Sequence, residues 1–217
     1  HGTRHVSSTS IEEWMSANET RREGADFEAA IAQNVKLHLR AYEEAGLEGS
    51  SIESWNIEFL RPGEFKTFTS LERGWAFVSA ANKALGKPFF KLLVDAAHCG
   101  DSGLSIAENQ ALITKIAEAD ELGVFHASAK TTRGCLSSDD GWIPVMLTAV
   151  AKTGKLKHVY VEMFDHEDAA LETLRQLDPG HGVDTRDGRS YTEVMADGLA
   201  DIAHRLNNLA ARGVLKS

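Results

Sequence analysis

Four ionisable residues stand where short apolar runs end. Asn56-Ile57-Glu58-Phe59-Leu60, Leu93-Val94-Asp95-Ala96-Ala97-His98, Val124-Phe125-His126-Ala127 and Val161-Glu162-Met163-Phe164 each place a carboxylate or an imidazole at the close of a hydrophobic stretch. Burying such a group without a partner is costly, and a shared divalent cation removes that cost. Three carboxylates and one imidazole make an oxygen-rich donor set, better suited to Mn²⁺, Mg²⁺ or Co²⁺ than a thiolate-type zinc site is. Taken singly, Glu58 reads as a surface charge or ion-pair partner and His126 as a satisfied histidine. Four such groups at corresponding positions of successive runs read instead as the ligands of one ion: Glu58, Asp95, His126 and Glu162.

Elements of one kind must carry these groups. Phe27, Ile31, Val35, Leu39 and Tyr42 recur every three or four residues and predict a helix over 25–45, with Gly46 as its C-cap. Further helices are predicted over 69–85, ended by Gly86, and over 106–119, 143–153, 165–177 and 191–212. Strands are predicted over 54–60, 89–95, 122–127 and 156–163, with one more at 4–7. Strands alternating with helices imply βαβ units and a parallel sheet. About five such units fit a doubly wound open sheet or the last five units of a (β/α)8 barrel. No glycine-rich phosphate loop follows the first strand, which disfavours a nucleotide-binding open sheet. The chain opens without Met, and its first strand begins almost at once. The expectation is therefore an α/β chain forming a single, partial TIM-barrel domain over 1–217, lacking its first three or so βα units. In a parallel barrel the strand ends lie on one face, where catalytic residues collect.

The composition sets outer limits. With 217 residues, 42% of them hydrophobic and 25% charged, the chain reads as an ordinary soluble globular protein. No apolar run approaches the roughly 18 residues of a membrane helix, and residues 1–10 lack the apolar core of a signal peptide. The net charge of −9 lacks the basic footprint of a nucleic-acid partner. The acidic pairs Glu12-Glu13, Glu43-Glu44 and Asp139-Asp140 read as solvated surface. Two cysteines, Cys99 and Cys135, make no disulfide framework, so a reducing, cytoplasmic compartment is expected. Cys99 adjoins His98 without a base that would activate it, and reads as incidental. Trp75 and Phe77 read as packing residues, Trp142 as a lid or pocket wall, and His158 as surface. Gly180-His181-Gly182 with Asp184 and Asp187 reads as a turn-rich loop rather than a second metal site.

Over residues 54–164 the sequence resembles the xylose-isomerase-like barrel superfamily, and within it the ketose 3-epimerases most closely. Ile57-Glu58-Phe59-Leu60-Arg61-Pro62-Gly63-Glu64 resembles the paired glutamates that follow a strand in that family. Val94-Asp95-Ala96-Ala97-His98 resembles its D-x-x-H, and Phe125-His126-Ala127-Ser128 its histidine strand. Arg133, Gly134 and Gly141-Trp142-Ile143-Pro144 resemble the loop that comes next, and Val161-Glu162-Met163-Phe164 its final metal glutamate. The resemblance implies one divalent ion, Mn²⁺ first, bound by Glu58, Asp95, His126 and Glu162. It implies that Glu58 and Glu162 also exchange protons with carbon, and that Glu64, His98 and Arg133 bind a sugar substrate. A homo-oligomer is expected, with a partner chain supplying the remaining strands as the alternative. Arg133 falls one position late, and 134–140 form a polar insertion; both are departures from the family pattern.

The chemistry so implied is a sugar isomerase or epimerase that removes a proton beside a carbonyl, with the resulting enediolate stabilised by the ion. A lyase on the same scaffold, dehydrating a keto-inositol or cleaving a 3-keto- or C-glycoside, begins with the same step. An apurinic endonuclease would need more histidines and a basic groove, which the charge opposes. A non-catalytic barrel would be expected to have lost one of the four ligands, and all four are present.

Overall fold

The computed structural model describes residues 2–12, 20–129, 141–162, 169–177 and 189–215. Arg133, the insertion 134–140, Cys135 and the 180–187 loop lie outside the described residues. The elements run β1 (His5–Thr9), α1 (Gly24–Glu44), β2 (Ser54–Glu58), α2 (Leu71–Leu85), β3 (Phe90–Asp95), α3 (Ala96–Asp101), α4 (Ile106–Glu118), β4 (Leu122–Ala127), α5 (Trp142–Lys152), β5 (Val159–Val161), a 3-10 turn at Ala169–Leu171, α6 (Glu172–Leu177) and α7 (Tyr191–Ala211). The strands hydrogen-bond in sequence order, β1-β2-β3-β4-β5, and the β1–β2, β2–β3 and β4–β5 pairings are parallel. Sequential parallel pairing is what consecutive right-handed βα units produce. By the density of internal contacts the chain divides into two compact units, residues 1–94 with 111–124, and residues 95–110 with 125–217.

In the first unit α1 buries Ala30, Ile31, Asn34, His38 and Tyr42, one face at helical spacing. Strand alternation sends Trp55 and Ile57 to the opposite side of β2 from Ser54, Asn56 and Glu58. Trp55 meets His38 of α1 with ring centroids 5.1 Å apart, and the same imidazole lies 4.7 Å from the Phe77 ring of α2. His38 is thus a core residue. Burial pushes its pKa down, against hydrogen bonds to the Asn34 and Thr9 backbone that push it up. Ser70 caps α2 by accepting from Arg73 N at 3.3 Å, and Gly86 ends it in the left-handed region at φ 79°. Glu121 is a buried structural carboxylate: it accepts from Trp75 Nε1 at 2.6 Å and from Asn82 Nδ2 at 2.9 Å. Trp75 thus packs, as expected, and also donates a hydrogen bond.

Asn56 ties three strands together. Its Nδ2 donates to Val6 O of β1 at 3.1 Å, and its Oδ1 accepts from Val124 N of β4 at 3.1 Å. Room for that side chain exists because residue 123 is glycine. A Cβ there would fall within contact of Asn56 Oδ1, 2.9 Å from Leu92 O and 3.0 Å from Lys91 Cβ. Two of these three neighbours are constrained by the sheet, so Gly123→Ala is expected to destabilise the chain by about 1–3 kcal/mol, the usual cost of overpacking. A urea titration measures it; an unchanged midpoint would mean that β4 does not approach this closely.

In the second unit β4 and β5 align Phe125 with Val159, His126 with Tyr160 and Ala127 with Val161. The strand predicted over 156–163 contracts to Val159–Val161, the residues that align with β4. α5 buries Ile143, Met146, Leu147, Val150 and Ala151 and packs against α3 and α7. α7 opens with a capping box in which Ser190 Oγ accepts from Glu193 N and the Glu193 carboxylate accepts from Ser190 N. The helix predicted over 165–177 is described only as the 3-10 turn and α6. The short α3 was not predicted. His158, expected at the surface, is half-buried and stacks on Tyr160, with ring planes 11° apart.

Candidate metal centre

The strand ends carry the polar residues singled out in the sequence. Glu58 is the last residue of β2, in register with Thr9 of β1 and Leu93 of β3. Asp95 is the last residue of β3 and His126 the penultimate residue of β4. Glu162 follows β5 directly, and its N–H extends the pairing by donating to Ala127 O at 3.1 Å. In a parallel sheet all these C-terminal ends lie at one end of the strands.

One ligand atom from each of Glu58, Asp95, His126 and Glu162 lies within 4.8 Å of the others. Two ligands on opposite sides of a divalent ion stand about 4–5 Å apart, twice a metal–ligand bond of roughly 2.0–2.5 Å, and adjacent ones stand closer. The spacing therefore fits a single ion, and the donor set, three carboxylates and an imidazole, fits a divalent cation. The four residues form a cluster able to hold a metal ion.

Asp95 is fully buried. Its Oδ1 accepts from His98 N at 2.7 Å, capping α3. The D-x-x-H spacing is thus an N-cap and the third residue of the following helix, a signal that could have predicted α3. The same turn brings the buried His98 ring beside the site, with Nδ1 3.7 Å from Asp95 Oδ1. His98 is not among the four clustered residues.

His126 Nδ1 lies 3.3 Å from Glu162 Oε2, and its ring meets Tyr160 edge-on with centroids 6.1 Å apart. Burial alone would push the Glu162 pKa up. The His126 imidazole 3.3 Å away, and the charge of His98, outweigh it and hold the carboxyl well below the usual carboxylate range. Cys99 beside the cluster is buried. Burial first, then the Asp95 charge, push its thiol pKa up, so it is no nucleophile. Glu64 lies in the loop after β2, is buried, and has its N–H on Arg61 O at 2.9 Å.

No protein-family model matches the sequence, and a search of the curated proteins found no match. Solved structures do match. An L-ribulose 3-epimerase superposes with a TM-score of 0.73 at 16% identity, over 97% of this chain and 63% of that one. A D-psicose 3-epimerase from Clostridium cellulolyticum H10, solved with D-tagatose, gives 0.67 at 16% identity, over 99% and 65%. The IOLI protein, solved with a bound zinc atom, gives 0.62 at 14% identity, over 95% and 64%. At 14–16% identity the likeness is one of fold: the parallel βα arrangement of this chain is shared with these TIM-barrel structures. The chain spans 63–65% of the length of these three neighbours.

Proposed function

We propose that this chain belongs to a divalent-metal-dependent sugar isomerase or epimerase that moves a proton on the carbon beside a carbonyl. The observation that carries the reading is the cluster of Glu58, Asp95, His126 and Glu162 at the strand ends, in a fold whose neighbours include ketose 3-epimerases. All four are proposed as ligands, with Mn²⁺ as the ion. Bound there, the ion would polarise a carbonyl and an adjacent hydroxyl of the sugar.

The remaining work falls to the chain's own residues. Glu58 and Glu162 are proposed to take and return the carbon-bound proton. β3 and β4 stand between their strands in the sheet, and the two carboxylates are proposed to act on opposite faces of the sugar. Glu64 and His98 are proposed to hold sugar hydroxyls, and Arg133 to assist them. Asp95 orders the first turn of α3 and with it His98.

A screen of free ketoses with Mn²⁺ in D₂O, read by NMR, tests the reading. Epimer formation with deuterium at the reacting carbon supports it. The absence of turnover on every ketose and keto-sugar would remove it. Glu64 separates binding from ligation: Glu64→Gln is expected to keep the metal at the wild-type level while kcat/KM falls about tenfold, as for loss of a hydrogen bond to a charged group. A Glu64→Gln protein that loses its metal as completely as Glu58→Gln would make Glu64 a ligand instead.

A further inference from the structure

Glu12, one of the acidic pairs expected at the surface, grips the backbone of the loop that carries Glu64. Its Oε1 accepts from Lys66 N at 2.8 Å and Thr67 N at 2.6 Å, and its Oε2 accepts from Phe68 N at 3.0 Å. Three successive amides aimed at one carboxylate form an anion-binding nest. A second side chain holds the loop as well. Arg73, buried on α2, donates from Nε to Thr67 O and from Nη2 to Arg22 O, and pairs through Nη1 with Glu23 Oε2 at 3.0 Å. Its guanidinium lies 3.8 Å over the Phe27 ring, and Arg22 N donates to Thr67 Oγ1 at 3.2 Å. The loop is closed at its base by Leu60 N on Phe68 O at 3.2 Å, and Glu64 sits inside it.

We infer that Glu12 and Arg73 are positioning residues, a two-residue clasp that fixes the loop 61–68 and so holds Glu64 where it meets the substrate. The inference rests on the proposed sugar chemistry for its purpose, but the clasp itself is independent of it. Secondary structure does little to hold the loop, since it lies between the end of β2 and the start of α2. A surface charge with no such task would be free to vary in position. This one saturates three amide donors, which a glutamine cannot do without turning an NH₂ toward one of them. The substitution Glu12→Asp keeps the charge on a shorter arm.

The test uses the intact chain. Hydrogen exchange followed by mass spectrometry is compared for wild type, Glu12→Gln and Glu12→Asp. In Glu12→Gln the amides of 66–68 are expected to exchange roughly ten- to a hundredfold faster, as for loss of hydrogen bonds to a charged group, while β2 and β3 are unchanged and Glu12→Asp falls between. Exchange unchanged in the loop, or faster everywhere, overturns the clasp. The positioning role is read by a double-mutant cycle in the Mn²⁺ ketose assay. Glu12→Gln lowers kcat/KM about tenfold alone and adds little to Glu64→Gln, with Mn²⁺ retained at the wild-type level. Additive losses overturn the positioning role, because a general loss of stability would act whether or not Glu64 is present. Wild-type protein without turnover overturns the proposed function and the positioning role that rests on it, leaving the exchange result to judge the clasp.

Discussion

Glu162→Gln and Glu58→Gln are each expected to lower ketose turnover by about 10²–10⁴-fold, the usual contribution of one positioned acid–base group. A glutamine keeps the size of the side chain but cannot take a proton. Exchanging the carbon proton with the carboxylate, and the carboxylate with solvent, carries deuterium from D₂O into substrate and product. If one carboxylate serves each face, the two variants differ in kind. One fails to wash deuterium into the starting sugar, and the other still washes it in while forming little epimer. NMR of both sugars recovered from D₂O reads this directly. Turnover with no solvent deuterium in either sugar would indicate a hydride shift or a shielded single base, and the two-carboxylate scheme would have to be abandoned.

Asp95→Asn is expected to weaken Mn²⁺ binding by more than about a hundredfold, since loss of a group that only supports a ligand already costs 10–100-fold. The substitution is well suited to separating metal binding from folding. Asparagine can still accept the His98 N–H that caps α3, so the local turn survives. What is lost is the negative charge on a fully buried group in the cluster. Metal analysis after dialysis, paired with thermal unfolding with and without Mn²⁺, reads both effects. An ion that binds only the folded chain stabilises it by about 2.7 kcal/mol at a hundred times its dissociation constant. That upward shift in Tm should appear in wild type and vanish in Asp95→Asn. An Asp95→Asn chain that kept one tightly held equivalent would remove Asp95 from the ligand set.

The strand ends were legible because burial makes polarity informative. Asp95 and His126 interrupt runs whose other residues, Leu92, Leu93, Val94 and Phe125, are fully or almost fully buried. A carboxylate or imidazole persisting in such a run needs a partner, and four such residues at matching positions pointed to a shared one. Glu121 shows the limit of that logic. It too is a buried carboxylate in this fold, yet it is satisfied by Trp75 and Asn82, two neutral donors from α2. In the sequence it differs from Glu58 and Glu162 by preceding its strand rather than closing it.

Local chemistry was therefore enough for the alternation of helices and strands, the parallel sheet and the four residues at its strand ends, because periodicity, capping and burial are properties of short segments. Tertiary structure alone decided the rest. The described strand β5 is Val159–Val161, the residues that tertiary pairing aligns with Phe125–Ala127 of β4, which propensity alone does not specify. His38 became a core residue because Trp55 and Phe77, distant in sequence, close around it. Glu12, indistinguishable in sequence from any solvated acidic residue, became the clamp on Lys66–Phe68 because the fold brings three aligned amide donors to it from more than fifty residues away. An amide hydrogen is present at nearly every position of every chain, so only its direction in space makes it a binding group, and direction is set by the fold.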